Sequence, residues 1–385
     1  MRDAVICAAV RTPVGKRGGG LSGIHAVDLS AHVLSALAGR TGLDPADVDD
    51  VFWGCVNQVG EQTFNIGRNA PLAAGWPESV PGVTIDRQCG SSQQAVAFAA
   101  AAVISGQADV VVAGGVESMS RVPMGSAIGD GSAGRPLGPT FLERYDGVFP
   151  NQGVGAEMMA ERWGCSRSRL DEFSLASHEK AAKAQADGAF EEEIAPVTTP
   201  EGLVSADEGI RPGGTLEKLG SLKTPFKENG VISAGNASQI SDGSAALLVT
   251  TSEKARELGL TPLVRIHTTV MAGDDPVIML TAPIPAPQKV LARSGLSIDD
   301  IGIYEVNEAF APVPMAWLAD IGGDPARLNP RGGAIALGHP LGGSGARIMT
   351  TLIHQMQAQG TRYGLQTMCE GGGMANATVL ELLDS

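Results

Sequence analysis

Aromatic residues are scarce in this chain: 4% of 385 positions, with 4 Trp, 3 Tyr and 9 Phe. A core without large rings must be filled by close approach of backbones. The 51 glycines, about 13% against a usual ~7%, supply the means and should also mark turns and ligand-facing loops. No Gly-X-Y period accompanies them, which excludes a collagen helix. Positive charge is short as well. The net charge of -14 argues against a nucleic-acid partner, which needs a broadly basic surface, and leaves room for anionic small ligands at local basic groups. The longest apolar run, Ala95 to Ile104, is half a membrane span, so no membrane insertion is expected. The start, Met1-Arg2-Asp3-Ala4-Val5, shows no basic stretch followed by an apolar one and reads as no secretory leader. Cysteine is too thinly spread for a disulfide frame or a zinc site: Cys7, Cys55, Cys89, Cys165 and Cys369 are odd in number and far apart. A cytoplasmic location with reduced thiols is the expectation.

What is present is an alternation of β-branched runs and Ala-rich helical stretches, the signature of an α/β fold. Val83–Asp86, Asp109–Ala113 and Ile301–Val306 read as buried strands, and Ile348, Met349, Leu352, Ile353 and Met356 as the core stripe of a helix stopped by Gly360. An internal repeat organises the whole. VDDVFWGCVN at 48–57 returns as IDDIGIYEVN at 298–307, an offset of 250 that carries Cys89 onto His339. VVVAGGVE at 110–117 resembles TMCEGGGM at 367–374 with an offset of 257. Two duplicated halves, 1–118 and 250–385, are therefore expected, each offering one reactive side chain at a helix N-terminus. Between them, 119–249 reads as an inserted loop domain, with eight glycines and three prolines over 124–155 forming a cover and a polar helix over 168–188.

Cys89 precedes Gly90-Ser91-Ser92-Gln93 and an Ala-rich helix, where unpaired amides and the dipole favour a thiolate; a buried, inert cysteine is the competing reading. His339, in GHPLGGSGAR, has glycines clearing space around it and could take a thiol proton, leaving an imidazolium–thiolate pair. Cys369 ends a strand before Glu370-Gly371-Gly372-Gly373, a turn whose amides could bind an oxyanion. Asn307 can hold a water or a carbonyl oxygen. Glu308 is as readily a structural acceptor as an acid.

Together CGSSQQA, NEAFA, GHPLGGSGAR and CEGGGM resemble the motif set of the thiolases, and the similarity runs from Val10-Arg11-Thr12-Pro13 to the C-terminus. The resemblance implies a five-layered α-β-α-β-α fold and an acyl-CoA acetyltransferase working on 3-oxoacyl-CoA. Cys89 would be the acylated nucleophile and His339 its base. Cys369 would be a second acid/base, Asn307 a holder of water, and the amides of Cys89 and Gly371 an oxyanion hole. Coenzyme A enters as co-substrate, with no permanently bound cofactor. By the same resemblance Arg211, Leu222, Phe226, Ala234, Ser238, Met279 and Phe310 line its site. Arg211, Lys218, Lys223 and Lys227 form a basic stretch, readable equally as a solvated face. Family members are dimers or tetramers, so a homodimer or homotetramer is expected, with the 124–155 loop as second contact.

Several positions depart from the common pattern. Ser92 stands where many members have glycine, a change expected on the helix side that faces the pocket. Asn151-Gln152-Gly153 replaces a Met-Gly pair, the histidine of short-chain biosynthetic members is absent nearby, and Glu370 replaces an aliphatic residue. These choices resemble the actinobacterial steroid-catabolism thiolases. A condensing enzyme of the same fold would lack Cys369, and a non-catalytic lipid-binding relative would lose one of Cys89, Asn307, His339 or Cys369.

Overall fold

The computed structural model describes residues 2–383; Met1, Asp384 and Ser385, which belong to the outer segments assigned above, lie outside it. The first half comprises β1 (Val5–Arg11), α1 (Ala26–Thr41), β2 (Asp50–Gly54), α2 (Ile66–Ala73), β3 (Val83–Ile85), α3 (Ser91–Ser105), β4 (Val110–Ser118) and β5 (Ser241–Thr250). The insertion carries α4 (Gln152–Arg162), α5 (Arg167–Ala186) and a small hairpin, Val197–Thr199 with Gly202–Val204. The second half runs through β6 (Val264–Gly273), α6 (Pro285–Ser294), β7 (Ile303–Val306), α7 (Pro312–Ile321), α8 (Ser344–Gln359), β8 (Tyr363–Glu370) and β9 (Met374–Leu382).

The duplication is visible in the strand pairing. In one half β2 runs parallel to β4, which pairs antiparallel with β5 and β5 with β1. In the other β7 runs parallel to β8, which pairs antiparallel with β9 and β9 with β6. Trp53 faces Gly114 and Ile303 faces Gly364, each 250 residues on, so one offset holds through these strands. The offset of 257 read from the short glycine-rich matches is thereby corrected; glycine-rich strings align easily out of register. The two half-sheets meet at a seam of two residue pairs, Val5 with Arg265 and Ile6 with Val264.

Five layers follow from which side chains share a core. Helices α1 and α2 bury Leu29, Val33, Leu37 and Ile66 against the outer face of the first sheet, beside Val110 and Val112. Val111 and Ala113 point the other way, as strand alternation requires, and meet α3 (Ala95, Ala99, Val103) and α8 (Met349, Leu352, Met356). Beyond the second sheet, Val290 of α6 and Trp317 of α7 close the last layer. Covered on both faces, β4 is buried throughout its length, which explains its unbroken apolar run.

The middle layer shows what glycine replaces in a ring-poor core. A Cβ on Gly345 of α8 would lie 2.4 Å from the Gln93 amide of α3, and one on Gly54 the same 2.4 Å from that of Ser92. Ser92 Oγ accepts a hydrogen bond from Ala346 N at 2.9 Å. Ser92 thus joins the two central helices instead of facing a pocket, as had been expected of it.

Two further expectations are corrected. β3 is an edge strand with Val83 42% exposed, not a buried one. The segment 241–249 had been assigned to the insertion, yet it forms β5, in the middle of the first half-sheet between β1 and β4. Its ten residues are buried throughout, as a strand covered on both faces must be. The insertion ends before Ser241.

Candidate active site

The loops carrying Cys89 and His339 are equivalent in the repeat, and each is held by a turn that its sequence imposes. Gln88 takes a φ of +49°, a left-handed conformation unusual for a residue with a side chain, and so presents Cys89 on a strained turn. Ser91 Oγ secures the turn, donating to Gln88 O at 2.5 Å and accepting from Arg87 N at 2.9 Å. Ahead of His339, Gly338 has a φ of +98°, and a Cβ there would fall 2.3 Å from Ser241 Oγ; glycine alone fits. The His339 amide donates to Ser241 Oγ at 3.1 Å.

The protonation of His339 follows from its neighbours. Nδ1 lies 2.6 Å from Ser344 Oγ, and that hydroxyl donates its one proton to Pro340 O at 2.8 Å. Nδ1 must therefore carry the hydrogen, which leaves the lone pair on Nε2. Asn307 Nδ2 approaches Nε2 at 3.4 Å, and Asn307 Oδ1 has no partner among the described residues. His339 was expected at a helix N-terminus. A 3-10 turn, Leu341–Gly343, intervenes, and the link to α8 is the Ser344 hydroxyl. With alanine at 344, the tautomer is no longer fixed. Ser344→Ala is expected to lower kcat about 10- to 100-fold while the fold persists; an unchanged kcat would remove the orienting role.

Cys369 is the penultimate residue of β8, buried beside Ala309, Phe310, Met279 and Ile335. The following turn reaches the Cys89 loop: a Cβ on Gly371 would lie 2.9 Å from Gln88 Oε1. Neither the Cys89 nor the Gly371 amide donates to a protein acceptor among the described residues. Cys89 packs with Met119, Leu341, Ile348 and Met368. Cys89, His339, Cys369 and Asn307 are all at most 4% exposed.

Burial sets the charge state here, against the thiolate expected at a helix start. It pushes Cys89 well above the usual thiol range, with added repulsion from Cys369, Glu370 and Glu117, and pushes Cys369 to about 12. His339 falls to about 3, through burial and then the nearby Arg347 cation. The resting pair is thiol and neutral imidazole.

The residues assigned to coenzyme A come from the insertion (Arg211, Leu222, Phe226, Ala234 and Ser238) and from the second half (Met279 and Phe310). Phe226 and Phe310 meet edge to face at 6.2 Å, and Met279 shares a buried cluster with Phe310. Ser238 N donates to Ala309 O at 2.9 Å, and Leu222, Phe226 and Ala234 remain exposed. Arg211, also exposed, reaches Gln239 Oε1 at 3.3 Å, and Gln239 Nε2 in turn holds Ile335 O ahead of the His339 loop. Lys218 and Lys223 are exposed, whereas Lys227 pairs with Glu161 at 3.0 Å. The ambiguity over Glu308 resolves: its oxygens accept from Ser177, Asn329 and Ile335, the work of a structural acceptor.

Two residues escaped sequence reasoning. Ser344 stood inside a quoted motif, five positions after His339, without a stated role. Glu117 is buried and accepts from Val56 N, Asn57 N, Asn57 Nδ2, Gln62 Nε2 and Gly342 N, clamping the His339 loop to the first half. No local pattern announces a five-donor clamp drawn from segments 225 residues apart.

Profiles of two family domains match the chain: the thiolase N-terminal domain over residues 4–253 and the thiolase C-terminal domain over 260–382. The chain is 52% identical to steroid 3-ketoacyl-CoA thiolase FadA6 of Mycobacterium tuberculosis, across 100% of its own length and 95% of that protein's. It is 45% identical to β-ketoadipyl-CoA thiolase of Escherichia coli, with 99% and 100% covered. Against 3-ketoacyl-CoA thiolase of Pseudoalteromonas translucida the identity is 44%, with 99% of each covered. Matched in both domains and along the full length of these relatives, the chain belongs to the thiolase family of acyltransferase enzymes.

Proposed function

We propose that this enzyme cleaves 3-oxoacyl-CoA with coenzyme A, giving acetyl-CoA and a shortened acyl-CoA, and runs in the degradative direction. The observation that supports the reading is the His339 lone pair, fixed on Nε2 by Ser344, with His339, Cys89 and Cys369 each buried. Cys89 gives its proton to His339 Nε2, and the thiolate attacks the 3-keto carbon. The C2–C3 bond then breaks, and the acetyl-CoA enolate takes its proton from Cys369, leaving a Cys89 thioester. The Cys369 thiolate next takes the proton of coenzyme A, whose sulfur attacks that thioester. Cys89 departs with the proton held on His339, and both thiols are restored. The amides of Cys89 and Gly371 and an Asn307-held water receive the oxyanions.

Coenzyme A would lie along Leu222, Phe226, Ala234, Ser238, Met279 and Phe310, with Arg211 toward its phosphates. The relatives named for steroid and β-ketoadipyl thioesters support a bulky or carboxylated acyl chain. Free thiols suit a cytoplasmic, reducing setting. The exposed apolar strip of Val83, Phe98 and Ile104 along the β3 edge suits pairing with a second copy, and Met124, Ile128 and Phe149 suit a further contact giving a homotetramer.

The test is a panel of short, long and steroid-derived 3-oxoacyl-CoAs plus coenzyme A, followed by loss of enolate absorbance. Turnover with a Cys89 acyl adduct in the mass spectrum is expected. No turnover with any member, and no adduct, would defeat the proposal.

A further inference from the structure

Glu370, the last residue of β8, transfers no proton in the chemistry above, yet it is 0% exposed and neither carboxyl oxygen has a geometric hydrogen-bond partner among the described residues. It lies against the nucleophile loop. A Cβ on Gly90 would fall 2.0 Å from Glu370 Oε1 and 2.7 Å from Asn376 Nδ2, so the carboxyl and the amide converge on one backbone position next to Cys89. Asn376 Nδ2 donates to Gly90 O at 3.1 Å, while its Oδ1 also lacks a partner among the described residues. Among the described residues no salt bridge reaches Glu370. Arg87, on the same loop as Cys89, is the cation that acts on it from a distance, and its contact is Met374 Sδ. The titratable groups facing the carboxyl are thus Arg87 and Cys89 from the loop before α3 and Cys369 on its own strand; β9 presents Asn376 and Met374.

A buried carboxylate with only the Asn376 backbone amide to favour its charge is costly, whereas a protonated carboxyl is a donor and Asn376 carries an unfilled acceptor, Oδ1. We propose that Glu370 is a positioning residue that works in its protonated form, bracing Asn376 and Gly90 beneath Cys89 while keeping negative charge away from both thiols. Burial holds its pKa at about 8, close enough to neutrality for its charge to matter. As pH rises through that value, ionisation withdraws the donor and sets a like charge beside Cys89 and Cys369. Either thiolate becomes harder to form, so activity falls on the alkaline side.

The proposal rests on the thiolase reading and is tested with Glu370→Gln, which keeps a donor and stays neutral. Thiolysis kcat/KM is measured across about pH 6 to 10, together with Cys89 alkylation by iodoacetamide and a thermal melt. The variant should stay within about threefold of the parent at pH 7, lose the alkaline fall, and alkylate faster above about pH 8. Superimposable profiles would overturn the proposal, as would a loss beyond about 100-fold at every pH, which would mark Glu370 as a proton carrier. Absence of thiolysis by the parent chain would count against the proposed function instead, and alkylation would still report the Glu370 charge.

Discussion

Cys89→Ala is expected to lower kcat/KM for thiolysis by at least about four orders of magnitude, roughly 5 kcal/mol of transition-state stabilisation. Without the sulfur no acyl-enzyme forms, and neither His339 nor Cys369 can substitute for it. The fold should survive, because a small buried thiol loses little packing when shortened to a methyl. Cys369→Ala makes the informative contrast. It should still accept an acyl group on Cys89 from an activated thioester, yet fail to break or make the carbon–carbon bond. The measurements are steady-state thiolysis and intact-protein mass spectrometry. Substantial activity in Cys89→Ala, or full activity in Cys369→Ala, would refute the assignment of that residue.

The largest effect on stability is expected at Arg11→Met. Arg11 is wholly buried and donates to Glu193 at 2.7 Å and to both oxygens of Asp207 at 2.7 and 2.9 Å. Those carboxylates hold its pKa above the usual arginine range despite burial. Methionine fills much of the volume but leaves two buried acids facing an apolar group, a cost of about 3–5 kcal/mol. Denaturant unfolding should show a lower midpoint. Because Glu193 and Asp207 lie in the insertion, the insertion should loosen first, which proteolysis would detect. A shift below about 1 kcal/mol would mean that the acids are simply protonated or hydrated in the variant.

The sequence made legible those features that repeat or sit in a short motif. The pairing of Cys89 with His339 came from an offset of 250, and the strand register bears that offset out. The stripe from Ile348 to Met356 is buried as its helical spacing required. Other features depend on which segments meet across long stretches of chain. Val83-Thr84-Ile85 has the same strand propensity in the middle of a sheet as at its rim, so its exposure could not be read. β5 follows a long insertion, and nothing local ties it to β1 and β4. Ser92 could face either side of α3 until the position of α8 was known. The neutral state of Cys89 and His339 likewise depends on burial, which helix-terminus reasoning does not supply.

The repeat also has a temporal side. Cys89 is synthesised 250 residues before His339, and Cys369 follows later still. At ribosomal rates of about 5–20 residues per second, the nucleophile waits roughly 10–50 seconds for its base. The Glu117 clamp on Gly342 and the crossing of α3 with α8 exist only once both halves have folded together. Cys89 meets its base, and most of the side chains that bury it (Leu341, Ile348 and Met368), only when the chain is complete. Splitting the site across a duplication therefore acts as a safeguard: acyl chemistry begins only in a finished molecule.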